Sequence, residues 1–193
     1  MARSKNFDTD DTLDKAIALF GKQGYRDTTP AQLVEYLGIS RSSLYDTYGD
    51  KQNLYLKALQ RYSARVEKQF IAIADQAEDA RQGIRDYLQL SLDGCFGEDM
   101  QGGCFLVNSI AELPSGEPGL MAIIAESTEK NKKILLRLLK KAQKEGQLSA
   151  DFNSTRLADY LMNAVTGLTI SAKSGVSKKV CQQILDTTLS ILE

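Results

Sequence analysis

Along this chain apolar residues recur at intervals of three and four, the period of a helix with one buried face, and no segment alternates as a strand would. Leu13, Ala16, Ile17 and Phe20 form the first such stripe. It predicts a helix that starts near Thr9 or Asp10, carries acids in its first turn and ends at Gly24, with Phe20 and Tyr25 as core. Leu33 and Leu37 mark a short second helix, and Leu44 and Tyr48 a short third. Tyr55, Leu59, Tyr62, Val66, Phe70 and Ile73 then hold register for about five turns. They predict one long helix over residues 50–78 with Asp50 as its N-cap.

Ile84, Tyr87, Leu88 and Ser91 indicate a fifth helix that breaks at Gly94. Residues 102–113 are nearly all apolar and stop at Pro114. A helix apolar all round is a buried one, and Asn108 and Ser109 inside it need partners. Ile134, Leu135, Leu138, Leu139 and Ala142 are the inward stripe of a helix running to about Glu145. Its opposite face (Lys130, Lys132, Lys133, Arg137, Lys140, Lys141, Lys144) is basic and reads as solvated. Asp151 is the expected cap of a helix with Leu157, Tyr160, Leu161, Ala164 and Leu168 inward. The last helix, Val176 to Leu192, is apolar on two sides, Val180, Ile184 and Ile191 on one and Cys181, Leu185 and Leu192 on the other. A monomer would leave one of these sides in water, so the last two helices are expected to pair in a homodimeric four-helix bundle. Its expected interface is Leu157, Tyr160, Leu161, Ala164, Leu168, Cys181, Ile184, Leu185 and Thr188. The fold class is therefore all-α, with about nine helices: a head of residues 1–50, continuing into the long helix, and a larger body of residues 51–193.

The corner between the second and third helices carries chemistry. Thr29 is a good N-cap, Pro30 suits the first helical position, and Gly38 offers the backbone freedom that a helix C-terminus uses. Ile39 plugs the corner and Ser40 caps the next helix. Helix, glycine corner, helix is the helix-turn-helix plan, whose second helix lies in the DNA major groove. Arg41, Ser42, Ser43, Thr47 and the Tyr45 hydroxyl can donate to phosphates and base edges, and Lys51 can hold a phosphate. The same pattern also suits an ordinary helical corner in a bundle.

Composition removes other classes. With no histidine among 193 residues, Ser-His-Asp and Cys-His catalysis and His-metal sites are unavailable. No phosphate-binding loop, dinucleotide fingerprint or calcium loop is present, so neither metal nor cofactor is expected. Three cysteines at 95, 104 and 181 match neither a disulfide framework nor a zinc pattern and suit a reducing cytoplasm. The charge is −1 overall: residues 1–65 hold ten Lys/Arg against eight Asp/Glu, and the remainder fourteen against seventeen. A faintly basic front on an acidic body permits DNA binding without demanding it. Arg3 and Lys5 lie in an N-terminal arm that either touches DNA or is a solvated tail. That arm is followed by Asp8, Asp10 and Asp11 and is no secretory signal, and no apolar run is long enough to span a membrane.

Ile39-Ser40-Arg41-Ser42-Ser43-Leu44-Tyr45 and Tyr48-Gly49-Asp50-Lys51-Gln52-Asn53-Leu54, with Ala16 to Thr29 upstream, resemble the signature of the TetR/AcrR family of bacterial regulators. The match runs over roughly residues 8–60. Departures fall at Ser42, where the family often has Gly or Ala, at Asp46, where it often has a basic residue, and at Thr47-Tyr48, where it often has His-Phe. They leave the fold intact and bear on the operator; Asp46 would repel phosphate or accept from a cytosine amino group. The resemblance implies a homodimeric, ligand-responsive regulator, most readily a repressor, on a pseudo-palindromic double-stranded operator. Thr29, Gln32, Ser40, Arg41, Ser42, Ser43, Tyr45, Thr47, Tyr48 and Lys51 are its expected DNA contacts. It also implies an apolar small-molecule effector in the body, where Tyr87, Leu88, Ser91, Cys104, Phe105, Asn108, Met121, Ile124, Met162 and Val165 are the candidate lining; each also suits plain core. Cys104, at a helix start, either senses electrophiles or pairs reversibly with Cys95, or is a small buried hydrophobe. The alternative function is a helical ligand-binding or cysteine-redox module without specific DNA binding.

Overall fold

The computed structural model describes residues 7–97, 104–112 and 117–192; Arg3, Lys5, Gly102, Gly103 and Pro114 lie outside the described residues. Among the described residues there are nine α-helices and no strand: α1 (Thr9–Asp27), α2 (Pro30–Leu37), α3 (Arg41–Tyr48), α4 (Lys51–Gln76), α5 (Ala80–Gly94), α6 (Phe105–Glu112), α7 (Pro118–Lys144), α8 (Ser154–Lys173) and α9 (Lys178–Leu189). A single 3-10 turn, Ser190–Leu192, follows α9.

Local chemistry sets most of the helix ends. Asp8 caps α1 by accepting from the Asp10 N–H at 2.8 Å, and Asp50 caps α4 by accepting from the Asn53 N–H at 2.7 Å. Each such cap satisfies a donor that the helix itself leaves open. Gly24 takes φ +80° and breaks the α1 ladder, after which one more turn, Tyr25 to Asp27, completes the element. Three helix ends depart from expectation. α4 stops at Gln76, because Asp79 is spent as the N-cap of α5 and accepts from the Gln82 N–H at 2.9 Å. α8 is capped by Asn153, whose side chain accepts from the N–H groups of Thr155 and Arg156. Asp151 sits two residues earlier in an exposed turn. The last helix starts at Lys178 with Ser177 as its cap.

Two hydrophobic cores meet on α4. Its first half joins α1, α2 and α3 around Phe20, Leu33, Leu44, Tyr55 and Leu59, and Phe105, Leu120 and Ile123 of the body complete this core. Its far end, with Phe70 and Ala74, belongs to the core of α5, α7, α8 and α9. The α7 stripe is buried as expected. Its basic face is engaged in ion pairs: Lys130 with Glu67 and Glu126, Lys132 with Asp159, and Arg137 with Asp75 at 2.7 Å. Exposed pairs of this kind contribute little each, yet they tie α7 to α4 and α8.

Two packing expectations are corrected. α6 is not buried all round: Leu106 and Val107 are half-buried and Ile110 is exposed. Of the expected dimer residues, Leu157, Leu161, Leu168, Cys181, Leu185 and Thr188 are buried inside their own protomer. A two-sided apolar helix does not declare which side its own domain takes. The side left in water carries Tyr160, Ile170, Val180, Ile184 and Ile191, each 39–50% exposed, beside half-buried Ala164.

Candidate nucleic-acid interface and ligand cavity

The α2–α3 corner is built by side chains that hold each other. Thr29 and Gln32 form a reciprocal capping box: the Gln32 N–H donates to Thr29 Oγ1 at 3.3 Å and the Thr29 N–H to Gln32 Oε1 at 2.8 Å. Gly38 takes φ +66°, which lets the chain turn sharply into Ser40, and Ile39 plugs the corner. Ser40 Oγ accepts from the Ser43 N–H at 3.0 Å and lies within hydrogen-bond reach of both Ser42 Oγ and Ser43 Oγ. Thr29, Gln32 and Ser40 therefore position the motif with the groups they were expected to offer DNA.

On the outer face of α3, Arg41, Ser42, Tyr45 and Asp46 are exposed, and Ser43 and Thr47 are half-buried beside them. The Arg41 guanidinium lies 5.8 Å from the centroid of the Tyr45 ring, so cation and hydroxyl share one surface. Two expected contacts are corrected. Tyr48 is core, only 5% exposed. Lys51 Nζ donates to the carbonyls of Tyr25 and Thr28, both at 2.7 Å, and sits 4.2 Å from the Tyr25 ring centroid. It fastens α4 to the α1–α2 junction, and burial pushes its pKa down against the opposing pull of Asp27 and Glu112. The periodicity did not single out Tyr36, a half-exposed tyrosine on α2; its one signal is an aromatic off the Leu33–Leu37 stripe.

A cavity of about 560 Å³ opens between α4, α5, α6, α7 and α8, a size suited to a drug-like molecule. Of the expected lining, Tyr87, Ser91, Cys104, Ile124, Met162 and Val165 are there. Leu88 is fully buried in the core instead, and Phe105 packs edge-on to Tyr55 and Tyr62 at 5.3 and 5.7 Å. Asn108 faces a different cleft and Met121 lies at the surface. The expectation missed the α4 wall, Tyr62, Arg65, Gln69 and Phe70, together with Thr128, Asn131 and Thr166. Polar residues interrupting the α7 and α8 stripes were the available signal. Phe70 stacks on Tyr87 with centroids 3.9 Å apart, and the Tyr87 hydroxyl donates to the Asn131 carbonyl at 3.3 Å. Aromatic and aliphatic walls set with the polar side chains of Arg65, Gln69, Ser91, Thr128, Asn131 and Thr166 suit an amphipathic molecule.

The three cysteines are free thiols. Cys95 Sγ donates to the Ser91 carbonyl at 3.2 Å, and burial pushes its pKa up, away from the thiolate that disulfide exchange requires. Cys104 Sγ accepts from the Tyr62 hydroxyl at 3.7 Å and borders the same cavity. Cys181 is fully buried.

Comparison with known proteins gives this geometry its context. Residues 13–58 match the family model "Bacterial regulatory proteins, tetR family", and residues 80–187 match "Tetracyclin repressor-like, C-terminal domain". The chain is 32% identical to the HTH-type transcriptional regulator YezE of Bacillus subtilis, over all of both chains. It is 31% identical to the HTH-type transcriptional repressor ComR of Escherichia coli, over 98% of this chain and 90% of that protein. Among solved structures, a cysteine mutant of the TetR family regulator CifR, complexed with 26-base-pair operator DNA, superposes with a TM-score of 0.83 at 25% identity, over 98% of both chains. The chain belongs to the TetR family and is a DNA-binding transcriptional regulator, not an enzyme or a helical module without a DNA function.

Proposed function

We propose that this regulator is a ligand-responsive repressor, working in the bacterial cytoplasm as a homodimer on a pseudo-palindromic operator. One observation carries the reading: α4 forms the wall of the 560 Å³ cavity with its second half and part of the head's core with its first. A molecule entering the cavity therefore presses on the helix that sets the spacing of the two heads. It acts only as far as it binds the two spacings unequally. Residues 1–50 are the reading head, and residues 51–193 sense and dimerise. Arg41, Ser42 and Thr47 face base edges, Asp46 accepts from a cytosine amino group, and Ser43 and Tyr45 hold phosphates. The α3 helices of the two protomers enter successive major grooves about one helical turn apart. That ComR is named a repressor supports the sign of the regulation.

The test is an anisotropy titration of the full-length protein against the DNA flanking its own gene, with random DNA as competitor, at two salt concentrations. Competitor-resistant binding that weakens with salt is expected. Arg41→Ala should cost about tenfold or more in affinity for the operator alone, as a lost base contact does, while Tyr45→Ala weakens every sequence alike. Binding no tighter than to random DNA, in this and in selected genomic fragments, would reject the reading.

A further inference from the structure

Helix α6, like α4, reaches both the cavity and the head. Leu106, Val107 and Ile110 line the cavity, and Glu112, its last residue, reaches the head. There Glu112 Oε2 accepts the backbone N–H of Tyr25 at 3.1 Å and that of Arg26 at 3.3 Å, while Arg26 Nε donates to the Glu112 carbonyl at 3.2 Å. Those N–H groups are available because Gly24 has broken the α1 ladder, so the turn after it begins with unpaired donors as any helix start does. The carboxylate is an N-cap delivered from another part of the molecule. It needs Gly24 as well: a Cβ at that position would lie 2.6 Å from Glu112 Oε1.

The same turn is held from its other end by Lys51 of α4, through the carbonyls of Tyr25 and Thr28. Thr29, the next residue, opens the helix-turn-helix. The base of the DNA-reading motif is thus gripped between a carboxylate at the end of the helix that walls the cavity and an ammonium from the long helix. Beside the carboxylate lies a cleft of about 160 Å³ with Lys22 and Lys173 among its lining residues. A Glu112 carboxylate that left the two amides would meet a cleft bordered by two ammonium groups, and an element able to take two arrangements is what coupling between sites requires.

We propose that Glu112 is the positioning residue that transmits the state of the cavity to the DNA-binding head. It is seated on Tyr25 and Arg26 in the arrangement described here, and it is drawn toward Lys22 and Lys173 when a molecule in the cavity displaces α6. This rests on the reading of that cavity as the ligand site.

The experiment follows hydrogen exchange at the Tyr25 and Arg26 amides in the full-length protein, with and without N-phenyl-1-naphthylamine, a neutral apolar fluorophore whose emission reports its own binding. Glu112→Ala should speed exchange at both amides by about tenfold, the scale of a lost charge-assisted hydrogen bond, and leave the α7 amides of Ile134 to Ala142 unchanged. Glu112→Gln, which keeps an acceptor oxygen, should fall between. In the wild type the bound fluorophore should speed the same two amides; in Glu112→Ala it should bind equally well and add nothing. Its effect on operator affinity should shrink toward a factor of one in Glu112→Ala. Unchanged exchange in Glu112→Ala, or a bound fluorophore that leaves both amides protected in the wild type, overturns the proposal. A fluorophore that does not bind counts against the cavity reading instead. Val165→Trp, which fills the cavity from within the chain, then carries the test, and protected amides in that variant overturn the proposal too.

Discussion

Arg61 of α4 is gripped by two carboxylates of α1. Asp14 takes it in two hydrogen bonds at 2.8 and 2.7 Å, and Asp10 lies 3.0 Å away. The guanidinium holds the Asp14 carboxyl below its usual value, chiefly through those hydrogen bonds. Because the folded carboxyl binds its proton less readily than the unfolded one, the pair stabilises the fold in full above about pH 4. That stabilisation is lost as pH falls through the lowered value. Both groups are partly exposed, so the contribution is small. Asp14→Asn should lower the melting temperature slightly at pH 7 and not at all near pH 2; thermal melts between those limits check the sign. Legibility at this scale follows the range of each interaction. The caps Thr29, Ser40 and Asp50 act on groups two or three residues away, and short sequence patterns show them. Tyr48 and Lys51 look the same in sequence whether they serve phosphate or protein. What decided them was a core and two carbonyls 23 and 26 residues distant.

For whole elements, helical period was legible and helix ends were less so. α8 illustrates both: of its expected stripe Leu157, Leu161 and Leu168 are buried, Ala164 is half-buried and Tyr160 faces outward, while its start moved from Asp151 to Asn153. Two acceptor side chains stood close together, and only the backbone's entry angle decided which one reached the free N–H groups. Asn153→Ala should cost about 1 kcal/mol and lower the melting temperature by roughly 2–4 °C, whereas Asp151→Ala should leave it unchanged. Paired thermal melts of the two variants would expose a misassigned cap. α6 was misjudged for a different reason. A short helix with apolar residues on most sides is equally at home in a solid core or at the wall of a hollow one, and it is the hollow that leaves Ile110 exposed.

Across the molecule, the apolar side of α8 and α9 that remains in water is the strongest mark of a second protomer. Ile184→Asp, on that side, should give a helical, folded monomer in sedimentation and weaken operator binding, since one head meets only half of a two-fold site. Leu185→Asp, one position on and fully buried, should instead unfold the protomer. If Ile184→Asp stays dimeric, the interface lies elsewhere. The sequence by itself determined the all-helical class, the order of the helices, the helix-turn-helix and the family, because periodicity, caps and a short contiguous motif are all local. Only the tertiary structure decided which side of a two-sided helix faces inward, that α4 walls a cavity, and that Glu112 closes a break in α1 87 residues away. Those outcomes depend on which faces meet, and no spacing along one helix encodes the partner it will find.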